Sequence, residues 1–327
     1  MNRVKYISSV FLRMLSLLIG VSIISFILVT NSPIDPLTSY IGAESTLSVE
    51  AKEEIAEHWG LNDPPLERFA SWGKNVLKGD FGTSITYKQQ VSTVILERFK
   101  YSIVLMLVAW CFSGIVGFLI GILAGIYKGS LFDKIIKIFC LALQSAPTFW
   151  IGLLILSLFS VYLGWFPIGF AVPMGKLSLE ITIWDRIYNL ILPALTLSIL
   201  GISRVTLFTR QKLIEILNSD FILFAKARGE NTRQLVIRHG LRNIALPAIT
   251  EQFASFSELF GGIALAETVF SYPGLGTATT AAGLNGDVPL LLGIAIFSAI
   301  FVFVGNFIAN ILYGVLDPRL KEGKYNG

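Results

Sequence analysis

Charge is the first thing this 327-residue chain lacks: only 15% of its residues are Asp, Glu, Lys or Arg, against about 25% in soluble domains. With 54% hydrophobic residues and a mean hydropathy of +0.68, that scarcity excludes an ordinary soluble domain and predicts an all-helical integral membrane protein. Histidine and cysteine are nearly missing too. His58 and His239 are the two histidines, in segments expected on opposite sides of the membrane, and Cys111 and Cys140 lie in apolar stretches without a CxxC pattern. A metal site and a disulfide framework are not expected, and both thiols are read as packing residues. Nucleotide chemistry is also absent. No G-x-x-x-x-G-K-[ST] occurs, "MGKL" at 174–177 lacks the first glycine and the final hydroxyl, and neither HExxH nor G-x-S-x-G is found. An enzyme with a cofactor of its own is therefore not expected. Active transport by such a chain would draw its energy from ions or from another subunit.

Six apolar segments are present, at residues 7–30, 101–127, 135–163, 189–208, 244–270 and 288–316. Each has the length that about 20 helical residues need to cross a hydrocarbon core, and none has the alternation of a barrel strand. They divide the chain into an N-terminal anchor (1–30), an outer segment (31–98), a five-helix core (99–316) with a cytoplasmic loop at 209–245, and a tail (317–327). No tandem repeat, low-complexity tract or second soluble domain is apparent. Arg3 and Lys5 precede the first segment as in a signal peptide. Its long apolar run ends in "VTNSPIDP" without a small-x-small site, so it reads as an uncleaved anchor.

Basic residues set the orientation. Arg3 and Lys5; Lys128, Lys134 and Lys137; Arg210, Lys212 and the arginines of 220–247; and Arg319, Lys321 and Lys324 all fall on one side. That side is the cytoplasm, and both termini face it. The outer segment is acidic around Glu50, Glu53, Glu54 and Glu57, where a helix is expected at 48–59 with Ser48 as its cap. "KGDFGTS" at 78–84 reads as a turn.

The stretch "DFILFAKARGENTRQLVIRHGLRNIALPAIT" (220–250) lies between two apolar blocks and resembles neither. Residues up to Arg228 can continue the fourth helix into the cytoplasm. Gly229 permits a sharp turn, and Asn231 or Thr232 can cap a new helix. Leu235, Val236, Ile237, Leu241, Ile244 and Ala245 make its apolar side; Arg233, Arg238 and Arg242 make a basic one. Pro247 is expected near a helix start. On physics alone this is a basic amphipathic helix, which anionic lipid would also attract.

Acidic residues inside apolar segments are costly, by about 2.5–3.5 kcal/mol at mid-bilayer on insertion scales. Glu251, Ser255, Glu258 and Gly262 recur at helical spacing on one face of the fifth segment. That face either lines a path for an amine-bearing solute, or Glu258 is protonated or hydrogen-bonded to a neighbouring helix. Arg13 and Arg204 are read as snorkelling toward the cytoplasm. The aromatic groups Phe149, Trp150, Trp165 and Phe166 fit packing and interfacial anchoring.

"FAKARGENTRQLVIRHGLRNIALP" resembles the cytoplasmic coupling-loop signature of ABC importer permeases, in the longer form of the dipeptide/oligopeptide/nickel family. "NSPIDP", "GLNDPPLERFASW" with "KGDFGTS", "SAPTFWIG", "ETVFSYPGLG" and "ILYGVLDPRL" are similar to further motifs of that family, in the same order. The resemblance implies a type I-like permease fold. It also implies a second homologous permease as partner, two cytoplasmic ATPase subunits that bind the ATP, and an extracytoplasmic solute-binding protein. No nucleic acid is implied. Ala225, Gly229, Leu246 and Pro247 fall on the coupling positions, where small Ala225 and Gly229 would allow close backbone approach and Arg233, Arg238 and Arg242 would set the register. Leu223 stands where many permeases have an acid, and Ile34 where the family often has glycine. At the outer end of the fifth segment Glu267, Pro273, Gly274 and Gly276 read as a turn, either a re-entrant or outer gate loop with a steric role or a direct contact for substrate or its binding protein. The implied cargo is a di- or oligopeptide, with nickel or a metal chelate as the alternative. An ion-driven carrier using Glu251 and Glu258 is the rival from another class.

Overall fold

The computed structural model describes residues 3–31 and 63–316, and among them it is helical throughout, with one isolated bridge between Thr83 and Gln90. The helix expected at 48–59, the "NSPIDP" turn beyond Asn31 and the tail at 317–327 lie outside the described residues. The helices are α1 (Arg3–Thr30), α2 (Pro65–Leu77), α3 (Val91–Ile126), α4 (Leu131–Ser145), α5 (Thr148–Ile155) and α6 (Ile183–Leu217). They continue with α7 (Asp220–Ala227), α8 (Leu241–Ala254), α9 (Phe256–Val269), α10 (Leu275–Leu284) and α11 (Val288–Leu316).

Three of these, α3, α6 and α11, are long and apolar enough to cross a membrane. The other expected spans differ. In α1 the apolar part is Leu12–Leu28. The third span is a bent pair: α4 and the helix after it meet at 111°. The bend falls at Ala146–Pro147, where Pro147 is extended and caps α5; proline cannot continue the α4 ladder, and it disfavours helix at the residue before it. α5 then runs into π-helical turns over Leu156–Tyr162. The fifth span is two 14-residue helices, α8 and α9, with Ser255 between them. Ser255 stays in the helical region, and Ser255 N–H to Glu251 and Leu259 N–H to Ser255 carry the ladder across.

The described residues fall into two compact units, one of Met1–Ser102 with Pro273–Val304, the other of Ile103–Tyr272 with Gly305–Gly327. In the first unit, Val91, Val94 and Ile95 of α3 pack with Leu275, Ala278 and Ala282 of α10 and with Leu290 and Ile294 of α11. Gly293 makes this contact possible, because a Cβ there would lie 2.5 Å from the Val91 side chain. "KGDFGTS" is a turn, as expected, with Gly79 and Gly82 at positive φ and Asp80 accepting from Gly82 N–H. Asp287, wholly buried, accepts from the Ser84 hydroxyl (2.5 Å), Thr86 N–H (2.9 Å) and Leu290 N–H (3.2 Å). One carboxylate thus caps α11 and fastens the turn near Ser84 to it.

The second unit is organised around α6, which Thr182 and Asp185 start with a capping box. On α3, Gly117, Gly121 and Gly125 recur every four residues and face α6. A Cβ on them would stand 2.8 Å from Val205, 2.7 Å from the Thr206 carbonyl and 2.9 Å from Leu213. Without side chains there, the two backbones approach closely, as small residues permit between membrane helices. Thr206 Oγ1 donates to the Gly117 carbonyl at 3.2 Å. α4 is tied to α6 by Asp133, which is buried and takes two bonds from Arg210 and one from Gly129 N–H. Ile151 and Ile155 of α5 pack with Leu192 and Phe270.

Candidate functional site

Two places in the second unit gather the residues singled out above. The first is the stretch after α6. The fourth helix does not continue to Arg228. It ends at Leu217, and Ser219 starts α7 as a separate helix. Gly229 then turns the chain at φ +88, a conformation that disfavours any residue with a Cβ. Asn231 caps the next turn reciprocally with Gln234, each bond 2.9 Å. That turn passes into a π-helical segment, Leu235–Gly240, and on into α8. Pro247 is therefore not at a helix start. It lies within α8, in the middle of a helical run that the cap at Asn231 began much earlier.

The loop has a small core of its own: Ile222, Ala225 and Leu235, packed against Ile216 and Leu217. Ala225 is buried there, where its small size serves the loop's own packing. Gly229 is exposed and nothing in this chain lies within 4 Å of its missing Cβ; the turn needs it for its conformation. Leu246 and Pro247 are half-buried, while Arg233, Arg238 and Arg242 are exposed. Arg238 lies 3.9 Å from Glu230, which also meets His239 at 3.1 Å. Phe221, Leu223, Phe224 and Ile237 of the same stretch are exposed too. The result is a preformed surface, apolar with a basic border, on a loop that its own caps and core hold in shape.

The second place is a cavity of about 230 Å³ between α4, α6 and the α8–α9 run, bordered by Gln144, Gly201, Arg204, Ser255, Glu258 and Gly262. Arg204 and Glu258 form an ion pair across it. The structure thus brings Ser255, Glu258 and Gly262 to one wall, as their spacing implies, while Glu251 does not border the cavity. The guanidinium of Arg204 turns to Glu258, a partner that the snorkelling reading did not include. The signal available in the sequence was that two opposite charges sat in adjacent apolar segments. A larger hollow of about 380 Å³ lies beside Trp110, Phe118, Ala248 and Ile249 and carries no charged group. Its one long polar side chain, Gln252, is held by Trp110 and Ser113.

Glu267, at the end of α9, is wholly buried, and its carbonyl accepts from Tyr272 N–H at 2.8 Å. Pro273 and Gly274 lead into α10, where Gly276 is buried and Leu275 N–H donates to Ser102 Oγ at 2.8 Å.

Broken apolar helices, a charge pair on a cavity and a preformed basic loop define a helical membrane protein of the transporter class. Residues 117–322 match the family described as binding-protein-dependent transport system inner membrane component, and the chain belongs to that family. It is 35% identical over 311 residues to the oligopeptide transport system permease protein AppB of Bacillus subtilis (strain 168), covering 95% of this chain and 97% of the relative. It is 32% identical to the di/tripeptide transport system permease protein DppB of Pseudomonas aeruginosa (strain UCBPP-PA14), over 95% and 98% of the two chains. With the dipeptide transport system permease protein DppB of Escherichia coli (strain K12) the identity is 30%, over 94% and 95%.

Proposed function

We propose that this chain is one permease half of an ATP-driven importer of di- or oligopeptides. It pairs with a second, related permease, receives cargo from an extracytoplasmic binding protein, and is driven by two cytoplasmic ATPases that bind the ATP. Both termini lie in the cytoplasm. Residues 220–247 dock on an ATPase, and the wall carrying Ser255 and Glu258 borders the path. Closure of the ATPases rocks the two permeases as rigid bodies and switches access from outside to inside.

The observation that carries this reading is the loop itself. It has a core, a reciprocal cap and a left-handed glycine, yet it leaves Phe221, Phe224 and Ile237 exposed. A loop needing only to connect two helices has no reason to hold an apolar surface open. The names of the relatives favour peptides as cargo. Among the described residues no three His, Cys, Asp or Glu side chains cluster, so a path that coordinates a bare nickel ion gains no support. An ion-driven carrier is weakened by the engagement of Glu258 with Arg204. Gly229→Val is expected to abolish co-purification with the ATPase and peptide uptake while the chain still reaches the membrane. Uptake that persists in cells without the ATPase would overturn the reading in favour of the carrier.

A further inference from the structure

We infer that Arg204 and Glu258 form an exchange site for a zwitterion, taking a peptide's carboxylate on Arg204 and its ammonium on Glu258; this rests on the peptide-importer reading above. The pair is not sealed in a core. Its side chains are 39% and 64% exposed, and both border the 230 Å³ cavity. Gly201 on α6 and Gly262 on α9 also border it, with their missing side chains facing Ser113 and Leu197, and Ser255 and Gln144 add neutral polar groups to the same walls.

The argument is one of charge balance. Within apolar segments a charge is costly without a partner; this pair is partly exposed, so opening it costs less than opening a buried pair, but a solute that supplies both partners is still favoured. A neutral solute cannot open this pair without that penalty. A lone cation can replace Arg204 on Glu258, but it strands the guanidinium. A zwitterion satisfies both, since each protein charge changes partner and none is left alone. Arg204 has the planar fork that grips a carboxylate in two bonds, and Glu258 accepts from the three donors of an ammonium. The site therefore favours solutes with both charges over solutes with one, which narrows the amine-only preference that Glu258 alone would give. Rebinding of Arg204 to Glu258 then releases the solute, so the pair holds cargo only in passing.

The test uses the full complex in cells lacking other peptide importers, with labelled trialanine and with N-acetyl-trialanine amide, which carries neither terminal charge. R204Q and E258Q are each expected to lower trialanine uptake about tenfold, the size of one charge-assisted hydrogen bond. R204Q/E258Q is expected to be no better than either, with the rate for the capped peptide rising relative to trialanine. If R204Q/E258Q recovers trialanine uptake, the pair is a structural clamp and the exchange site is overturned. Unaltered uptake in all three variants overturns it as well. Membrane levels and ATPase co-purification, measured on the same variants, separate loss of transport from loss of assembly. Failure of the unaltered complex to take up trialanine at all would instead overturn the peptide reading on which the inference rests.

Discussion

Asp133 and Asp287 are both buried, but neutralising them is expected to act differently, because their partners differ. Asp133 answers the charge of Arg210, itself mostly buried. Asp133→Asn leaves that cation without a counter-ion, a loss of about 3–5 kcal/mol for a broken buried pair. A thermal-unfolding series in detergent should place D133N well below the unaltered chain, with the apolar double D133L/R210M recovering most of the difference. Asp287 holds only neutral donors: Ser84 Oγ–H, Thr86 N–H and Leu290 N–H. Asp287→Ala orphans three of them and should cost about 3 kcal/mol, against about 1 for Ser84→Ala. Hydrogen exchange reads this locally, as faster exchange of the amides at 84–90 in D287A, with the amides of α6 unchanged.

At the scale of elements, the contact of α3 with α6 depends on what the glycines omit. Gly121 leaves no room for a Cβ beside the Thr206 carbonyl and Thr209. Gly121→Leu is therefore expected to separate the two helices, with strong loss of folded protein by size-exclusion chromatography. Gly20→Leu on α1, where nothing lies within 4 Å, should leave the yield unchanged. The run "GFLIGILAG" carries this packing in its spacing, whereas its partner surface on α6 has no comparable signature. The loop at 220–247 was legible for the same kind of reason: Gly229 and Asn231 are local signals, and the turn and the cap fall where they point. The breaks were not legible. Proline ends α4 but is accommodated inside α6 at Pro193 and inside α8 at Pro247, and only the surrounding packing decides between those outcomes. The partner of Arg204 was not legible either, because it comes from a helix about 50 residues away.

Over the whole molecule, hydropathy reports that the chain is apolar and helical, and it counts segments. It cannot tell a straight span from one folded back on itself, since composition is the same on both sides of the Ala146–Pro147 bend. The two ends of the proposed mechanism were legible to different degrees. The loop announced itself by charge against an apolar background, whereas the ion-pair cavity needed three helices placed together before it existed.

α6 has 35 residues without interruption, or ~50 Å of helix, against a hydrocarbon layer of ~30 Å. It is longer than any crossing requires. Its far end carries Ile216 and Leu217 against the core of the loop that follows, and Arg204 sits 13 residues back, ~20 Å along the same rod. Between Arg204 and Leu217 no proline interrupts the ladder of backbone bonds, so on the proposed mechanism a displacement at the loop is passed along the helix axis toward Arg204. If the loop receives the push and Arg204 the cargo, as proposed, the two are points on one piston.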